Sequence, residues 1–243
     1  MAHFFLVPEF SGSTAPGSEI IIVGEEARHA VTVSRVRPGE TLAVGDGAGT
    51  VVSGTVRRVS AAELVLEVQR IDIAPAPTTR LILAQALAKG GRDELAIQAA
   101  TELGVDGVIP WAAGRSVSRW RGAKVDRGRQ RWERVVREAT KQSIRPWLPE
   151  VAALADTSRL VALAGRHRML VLEPTASRRL RQTEPDDRDT ILVVGPEGGI
   201  TPEELKLLAS AGADPVRLGD TILRTSTAGP AAVAVLNSLL KRW

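Results

Sequence analysis

The chain has 243 residues and a formal net charge of +4, with 44% hydrophobic and 25% charged residues. That is ordinary globular composition, sufficient for one large domain or two modest ones. It contains no cysteine and three histidines, His3, His29 and His167, which excludes disulfides, thiolate sites and cysteine nucleophiles and leaves no spacing suited to a catalytic metal. No apolar run reaches the length of a membrane span, and MAHFFLVPEF lacks the basic start and long apolar core of a secretory signal, so a cytoplasmic location is expected.

In chain order, short runs rich in Val, Thr and Ile come first: Glu19–Val23, Glu40–Val44, Thr50–Val59 and Glu63–Gln69, separated by turn signals such as GDGAG at Gly45–Gly49. Leu64, Leu66 and Val68 alternate with more polar neighbours, the period of a half-buried strand. With one short helix over Gly24–Ser34, this predicts a small β-barrel over residues 1–72. The segment IDIAPAPTTR sets two prolines where neither a helix nor a central strand accepts them, making 73–79 a linker.

From residue 80 to 243 the period changes. Strand-like LILAQAL (Leu81–Leu87) precedes GRDELAIQAATELG, in which Leu95, Ala99 and Leu103 share one helical face and Gly104 is placed to terminate the helix. There follow the strand DGVIPWA, a basic helix over Lys124–Ser143, the strands HRMLVLEP and TILVV, a helix from Pro202, the strand DPVRLG and a last helix running to Trp243. Strands alternating with helices predict an α/β fold with a mainly parallel sheet. Between Arg115 and Arg145 stand 11 Arg or Lys against 3 Asp or Glu. Such a cluster is the footprint of a surface facing phosphates, and a solvated helix face accounts for it equally.

In an open α/β sheet, ligands bind beyond the carboxyl ends of the strands. Three turns occupy that place: LEPTAS, GPEGGITPEE and LGDTILRTSTAG. The second resembles a phosphate cradle but matches neither GxGxxG nor GxxxxGK[ST], and Glu197 would repel an anion, so a neutral or cationic ligand suits it better. Its helix entry needs no function, since Thr201, Pro202 and Glu204 form a capping box with proline at the first helical position. Gly195, Gly198 and Gly199 cost backbone entropy that a close ligand approach would explain. In the third turn any of Thr225, Ser226 and Thr227 could cap the last helix, while Arg224 offers a planar cation to a carboxylate, a phosphate or a base edge, or serves a structural ion pair.

Taken together, RHAVTVSRVRPGETLAVGDGAG, AQALAKGGRDELAIQAATELGVDGVIPWAAGRSV, RWERVVREATKQSIRPWLPEV, VVGPEGGITPEEL and LGDTILRTSTA resemble, in the same order, five signatures of the RsmE family of ribosomal RNA methyltransferases in the SPOUT superfamily. The resemblance implies a PUA-like N-terminal domain that presents RNA and a C-terminal domain tied in a trefoil knot. It also implies a homodimer that transfers a methyl group from S-adenosyl-L-methionine to N3 of a uridine in 16S ribosomal RNA, with the assembled small subunit as partner. By position the cofactor would meet Leu172, Glu173 and Pro174, then Gly195, Glu197, Gly198 and Gly199, then Leu218, Gly219, Ile222, Leu223 and Arg224. Arg224 would also be catalytic, favouring the anionic uracil. Arg28, His29, Lys89, Arg115, Gln142 and Arg145 would contact RNA, His29 serving equally as a buried helix histidine. The family commonly has Pro-Arg at Asp220 and Thr221, Glu at Ser226 and Glu at Lys141. A non-catalytic RNA binder on the same fold, a SPOUT enzyme acting on another nucleotide, and a nucleotide-phosphate enzyme are the competing readings. Glu197 and the missing Walker lysine oppose the last.

Overall fold

The computed structural model describes residues 3–184 and 186–243. Its chain divides into two compact units, Met1–Ala76 with Thr140–Leu148, and Pro77–Ala139 with Pro149–Trp243. Residues 140–148 thus group with the first unit, although they follow the second domain's first strands and were expected within it. Local contacts explain this: Gly49 N donates to Pro146 O, Leu148 N donates to Gly47 O, and the Trp147 indole N–H donates to Pro75 O.

In the first unit, strands β1 (Phe4–Leu6), β2 (Glu19–Val23), β3 (Thr41–Gly45), β4 (Thr50–Val59) and β5 (Glu63–Ile73) form one sheet in the order β1-β3-β4-β5-β2. β1 pairs parallel with β3, and the other pairings are antiparallel. Where a barrel was expected, β1 and β2 stand at opposite edges of that order, and among the described residues no ladder joins them. In β2 the sequence EIIIV buries Ile20 and Ile22 and exposes Ile21 and Val23, the two-residue period deciding which isoleucines enter the core. Gly54 sits at a register shift in β4, where an added Cβ would lie 2.1 Å from Glu67 O, so only glycine fits this bulge. β5 continues to Ile73, past the predicted end at Gln69, because Ile71, Asp72 and Ile73 still pair with β4. Helix α1 (Gly24–Thr32) lays Ala27 and Ala30 into the core.

The second unit carries β6 (Leu81–Ala86), α2 (Arg92–Glu102), β7 (Gly107–Trp111), α3 (Lys124–Gln142, its last residues from Thr140 grouping with the first unit), β8 (Glu150–Val151), α4 (Thr157–Ala164), β9 (Arg168–Leu172), β10 (Thr190–Val194), α5 (Pro202–Ser210), β11 (Asp214–Val216) and α6 (Thr225–Leu239). The sheet runs β11-β9-β10-β6-β7-β8 and every pairing is parallel. Its strands alternate between two apolar clusters, as expected when both faces are covered. Leu81, Leu83, Leu170, Leu192 and Val194 join Ile97, Val233 and Leu236 in one. Ala84, Ala86, Val171, Ile191 and Val193 join Leu160 and Leu208 in the other.

Three features were not given by the sequence pattern. In α2 the buried residues are Asp93, Ala96, Ile97, Ala100 and Thr101, whereas Leu95 is 57% exposed. Apolar residues lie on more than one side of this alanine-rich helix, and packing against the sheet and α6 chose the face. The segment before β9 holds an additional helix, α4, capped by Asp156, whose carboxylate accepts from Arg159 N at 2.8 Å. The last helix ends at Leu239, short of Trp243.

Candidate active site

Beyond the carboxyl ends of β9, β10 and β11, and before α6, lies a cavity of about 400 Å³. The three predicted turns form its walls. Leu172, Glu173 and Pro174 line one side, Gly195, Glu197 and Gly199 another, and Leu218, Gly219, Ile222, Leu223 and Arg224 the third. Of the residues assigned to the cofactor, Gly198 is not in the lining. Its carbonyl accepts from Arg115 Nη1 at 3.1 Å, and an added Cβ would lie 3.2 Å from Arg115 Cβ.

The glycines of the second turn each have a local cause. A Cβ on Gly195 would lie 2.8 Å from Ile200 Cγ1, and Gly199 has φ of 73°, a left-handed conformation costly for other residues. Gly199 N donates to Pro196 O at 2.9 Å, closing a turn that feeds α5. There Thr201 and Glu204 form the expected capping box behind Pro202. Glu204 does more than cap: it also accepts from Gly114 N at 2.7 Å and Thr157 Oγ1 at 2.8 Å. Close packing at Gly195 and Gly198 and the left-handed backbone at Gly199, not ligand approach alone, therefore account for these glycines.

Glu197 is braced rather than free. Its Oε1 accepts from Arg92 Nη1 at 2.9 Å and from Lys89 N at 3.3 Å. Burial pushes its pKa upward, but bonds from its own backbone N–H, Arg92 and Lys89 outweigh that and hold the carboxyl below the usual range. Arg92 also lines the cavity.

The third turn is tied to the second by a buried relay. Gln85 Nε2 donates to Thr225 Oγ1 at 2.8 Å, and Thr225 Oγ1 donates to Gly195 O at 2.8 Å. Of the three hydroxyls offered as caps for α6, that of Thr225 thus bridges two walls instead, and the cap position belongs to Arg224, without a side-chain cap bond. Asp220 accepts from Arg179 Nη2 at 3.1 Å and pairs with Arg217 Nη1 at 3.2 Å, which anchors this departure from the family pattern. Among the described residues, no main-chain N–H from Leu218 to Leu223 donates a hydrogen bond to the protein. The exposed Arg224 guanidinium is likewise without a protein partner among them. An apolar slot edged by unbonded main-chain donors suits a flat heterocycle with polar edges.

The residues assigned to RNA divide between the units. Lys89 and Arg115 lie in the second and are exposed. Arg28, His29, Gln142 and Arg145 lie in the first. His29 is half-buried, its ring edge-on to Phe5 at a centroid distance of 6.3 Å, which fits the structural role. Lys141 is buried beside Glu26, Nζ to Oε1 3.5 Å, so the basic residue at this position has an acidic neighbour within the same unit. Sequence reasoning missed Gln85, Arg92 and Thr225 as site residues. Only Gln85 carried a visible signal, a lone amide inside the apolar run LILAQAL.

A family model described as an RNA methyltransferase domain matches residues 74–237, and one described as an RNA methyltransferase PUA domain matches residues 22–69. The ribosomal RNA small subunit methyltransferase E of Mycobacterium bovis is 42% identical over 233 residues, 93% of this chain and 89% of its own. The chain belongs to the ribosomal RNA small subunit methyltransferase E family. Within this methyltransferase E family, which is part of the SPOUT superfamily, the Bacillus subtilis member is 28% identical over 226 residues, 89% of this chain and 88% of its own. The methyltransferase E of Neisseria gonorrhoeae, solved bound to S-adenosylmethionine, superposes with a TM-score of 0.88 at 26% identity, covering 98% of each chain. A Legionella pneumophila methyltransferase solved with the same cofactor gives 0.86 at 27% identity, also covering 98% of each. The stretch matching the methyltransferase domain contains every residue that lines the cavity.

Proposed function

We propose that this methyltransferase E family member transfers the methyl group of S-adenosylmethionine to N3 of a uridine in 16S ribosomal RNA. On this reading it acts as a cytoplasmic homodimer on the assembled small subunit, with the C-terminal segment knotted. The observation that carries the reading is the cavity at the ends of β9, β10 and β11, apolar within and lined by Leu218, Gly219, Thr221, Ile222 and Leu223, whose N–H groups donate no hydrogen bond to the protein among the described residues. Its size falls in the range of small-molecule sites, and the relatives solved with this cofactor share the fold around it.

When bound, the cofactor supplies an electrophilic methyl on a positively charged sulfur. Leu172, Leu218 and Ile222 form the apolar walls, and the main-chain donors between Leu218 and Leu223 would fix the orientation of the adenine edge. Glu197, already compensated by Arg92, braces the wall without presenting a bare anion. Arg224, with no protein partner among the described residues to neutralise it, would stabilise the uracil as N3 loses its proton. Arg28, Lys89, Arg115, Gln142 and Arg145 would supply contacts to the RNA, while His29 keeps its structural place against Phe5.

Calorimetry with S-adenosylmethionine and with ATP tests the cofactor; saturable binding of ATP alone would overturn the reading. Labelled cofactor and undermethylated small subunits, followed by mass spectrometry of the product nucleoside, test the target atom. Arg224→Ala should lower the single-turnover rate by about 10²–10³-fold, the scale of one lost charge-stabilising donor. An unchanged rate would remove Arg224 from catalysis.

A further inference from the structure

We propose that a second, basic groove on the methyltransferase unit holds the phosphates of single-stranded RNA flanking the target base and leads the strand into the cofactor cavity. This rests on the function proposed above. The groove, about 750 Å³, opens where the chain leaves β6 and β7 and along the first turns of α3. The sheet is wholly parallel, so the carboxyl ends of β6 and β7 face the same side as those of β9, β10 and β11. Lys89 joins the two depressions: it lines the groove, and its N–H bonds to Glu197 of the cavity wall.

Five cationic residues, Lys89, Arg119, Lys124, Arg127 and Arg131, line the groove with two acidic ones, Asp93 and Glu94. The acids are already engaged. Glu94 pairs with Arg131 at 2.7 Å, and buried Asp93 accepts from Ala88 N at 3.2 Å. Arg119 donates to the carbonyls of Ala113 and Gly114, which fixes its guanidinium at the rim. The ammonium groups of Lys89 and Lys124 make no ion pair among the described residues and remain available to phosphates. Trp120 adds an aromatic platform. Its ring lies against Gly128, where a Cβ would come within 2.4 Å, and meets Trp132 edge-on at a centroid distance of 5.5 Å. Cations along a groove with a held indole are what a single strand needs, phosphates for position and a ring for stacking.

The probe is a fluorescein-labelled oligouridylate of about ten nucleotides, within the usual span of single-strand sites, titrated by anisotropy at several salt concentrations. The Lys124→Gln/Arg127→Gln double variant should bind more weakly. The slope of log K against log salt should flatten by about 1.4, since each lost phosphate contact on a single strand is worth about 0.7. Trp120→Leu should lose roughly 5- to 100-fold and Trp120→Phe much less. KM for the RNA substrate should rise in the double variant with kcat unchanged. Calorimetry with S-adenosylmethionine runs beside each variant and should match the wild type, which shows the unit folded. A double variant with wild-type affinity and slope overturns the groove. If Trp120→Leu fails to bind cofactor, the double variant decides alone. Failure of the wild type to bind S-adenosylmethionine would instead strike the functional reading and leave the RNA titration independent of it.

Discussion

Thr225→Val removes one hydroxyl and keeps the side-chain shape, so it isolates the relay between the second and third walls. Thr225 is buried, and its Oγ1 lies 2.8 Å from both Gln85 Nε2 and Gly195 O. The substitution leaves the Gly195 carbonyl and one amide hydrogen of Gln85 without that partner, although Gln85 Nε2 keeps Ala86 O at 3.1 Å. An unsatisfied buried group costs about 1–3 kcal/mol, so the total should be about 3 kcal/mol. That lowers the urea midpoint by roughly 1 M at unchanged m if m is near 3 kcal/mol/M. Gly195 lines the cavity, so affinity for S-adenosylmethionine should fall with it, measured by calorimetry. Thr225→Ser retains the hydroxyl and should cost no more than about 1 kcal/mol. On a Gln85→Leu background the amide no longer needs a partner, and Gln85 Oε1, buried without one among the described residues, is removed as well. There Thr225→Val should cost less, by a coupling of about 1 kcal/mol. A wild-type midpoint and cofactor affinity for Thr225→Val, or strict additivity in the cycle, would refute the relay.

Two further outcomes follow from the same walls. Burial pushes the Glu204 carboxyl upward, but bonds from Gly114, Thr157 and Thr201 outweigh this and hold its pKa below the ordinary 4.5. A depressed folded pKa contributes stability above the unfolded value and loses it as pH falls through the folded one. The stability gap between wild type and Glu204→Gln, read by urea titration, should therefore be full at neutral pH and close below about pH 4.5; a gap constant into acid would refute the assignment. At Gly199 no atom lies within 4 Å of an added Cβ, so only the left-handed backbone resists substitution. Gly199→Asn should cost less than Gly199→Val, the latter about 1–2 kcal/mol in the same assay, and equal costs would point to a clash instead.

The capping box of α5 was legible because its logic is local. Thr201, Pro202 and Glu204 are near neighbours whose side chains and backbone suffice to start a helix. The three turns that wall the cavity were legible for a related reason, since a strand followed by glycines and a helix entry implies where a parallel sheet opens. The buried side of α2 was not legible, because a helix of small residues offers more than one apolar face and only the surface it packs against selects between them. Leu95 outside and Ile97 inside is a decision of packing.

By itself the sequence determined the change from strand-rich to alternating organisation near residue 73, the order of the longer elements and the turns that wall the cavity, all of which depend on neighbours along the chain; the short β1, β8 and α4 came only with the fold. The tertiary structure decided what joins those turns. Gln85 meets Thr225 across 140 residues and Arg92 meets Glu197 across 105. It also grouped residues 140–148 with the first unit. Polar partners that distant leave no periodic trace, because their pairing is set by where β6, β10 and α6 end in space, and side chains at those ends meet only once the sheet has formed.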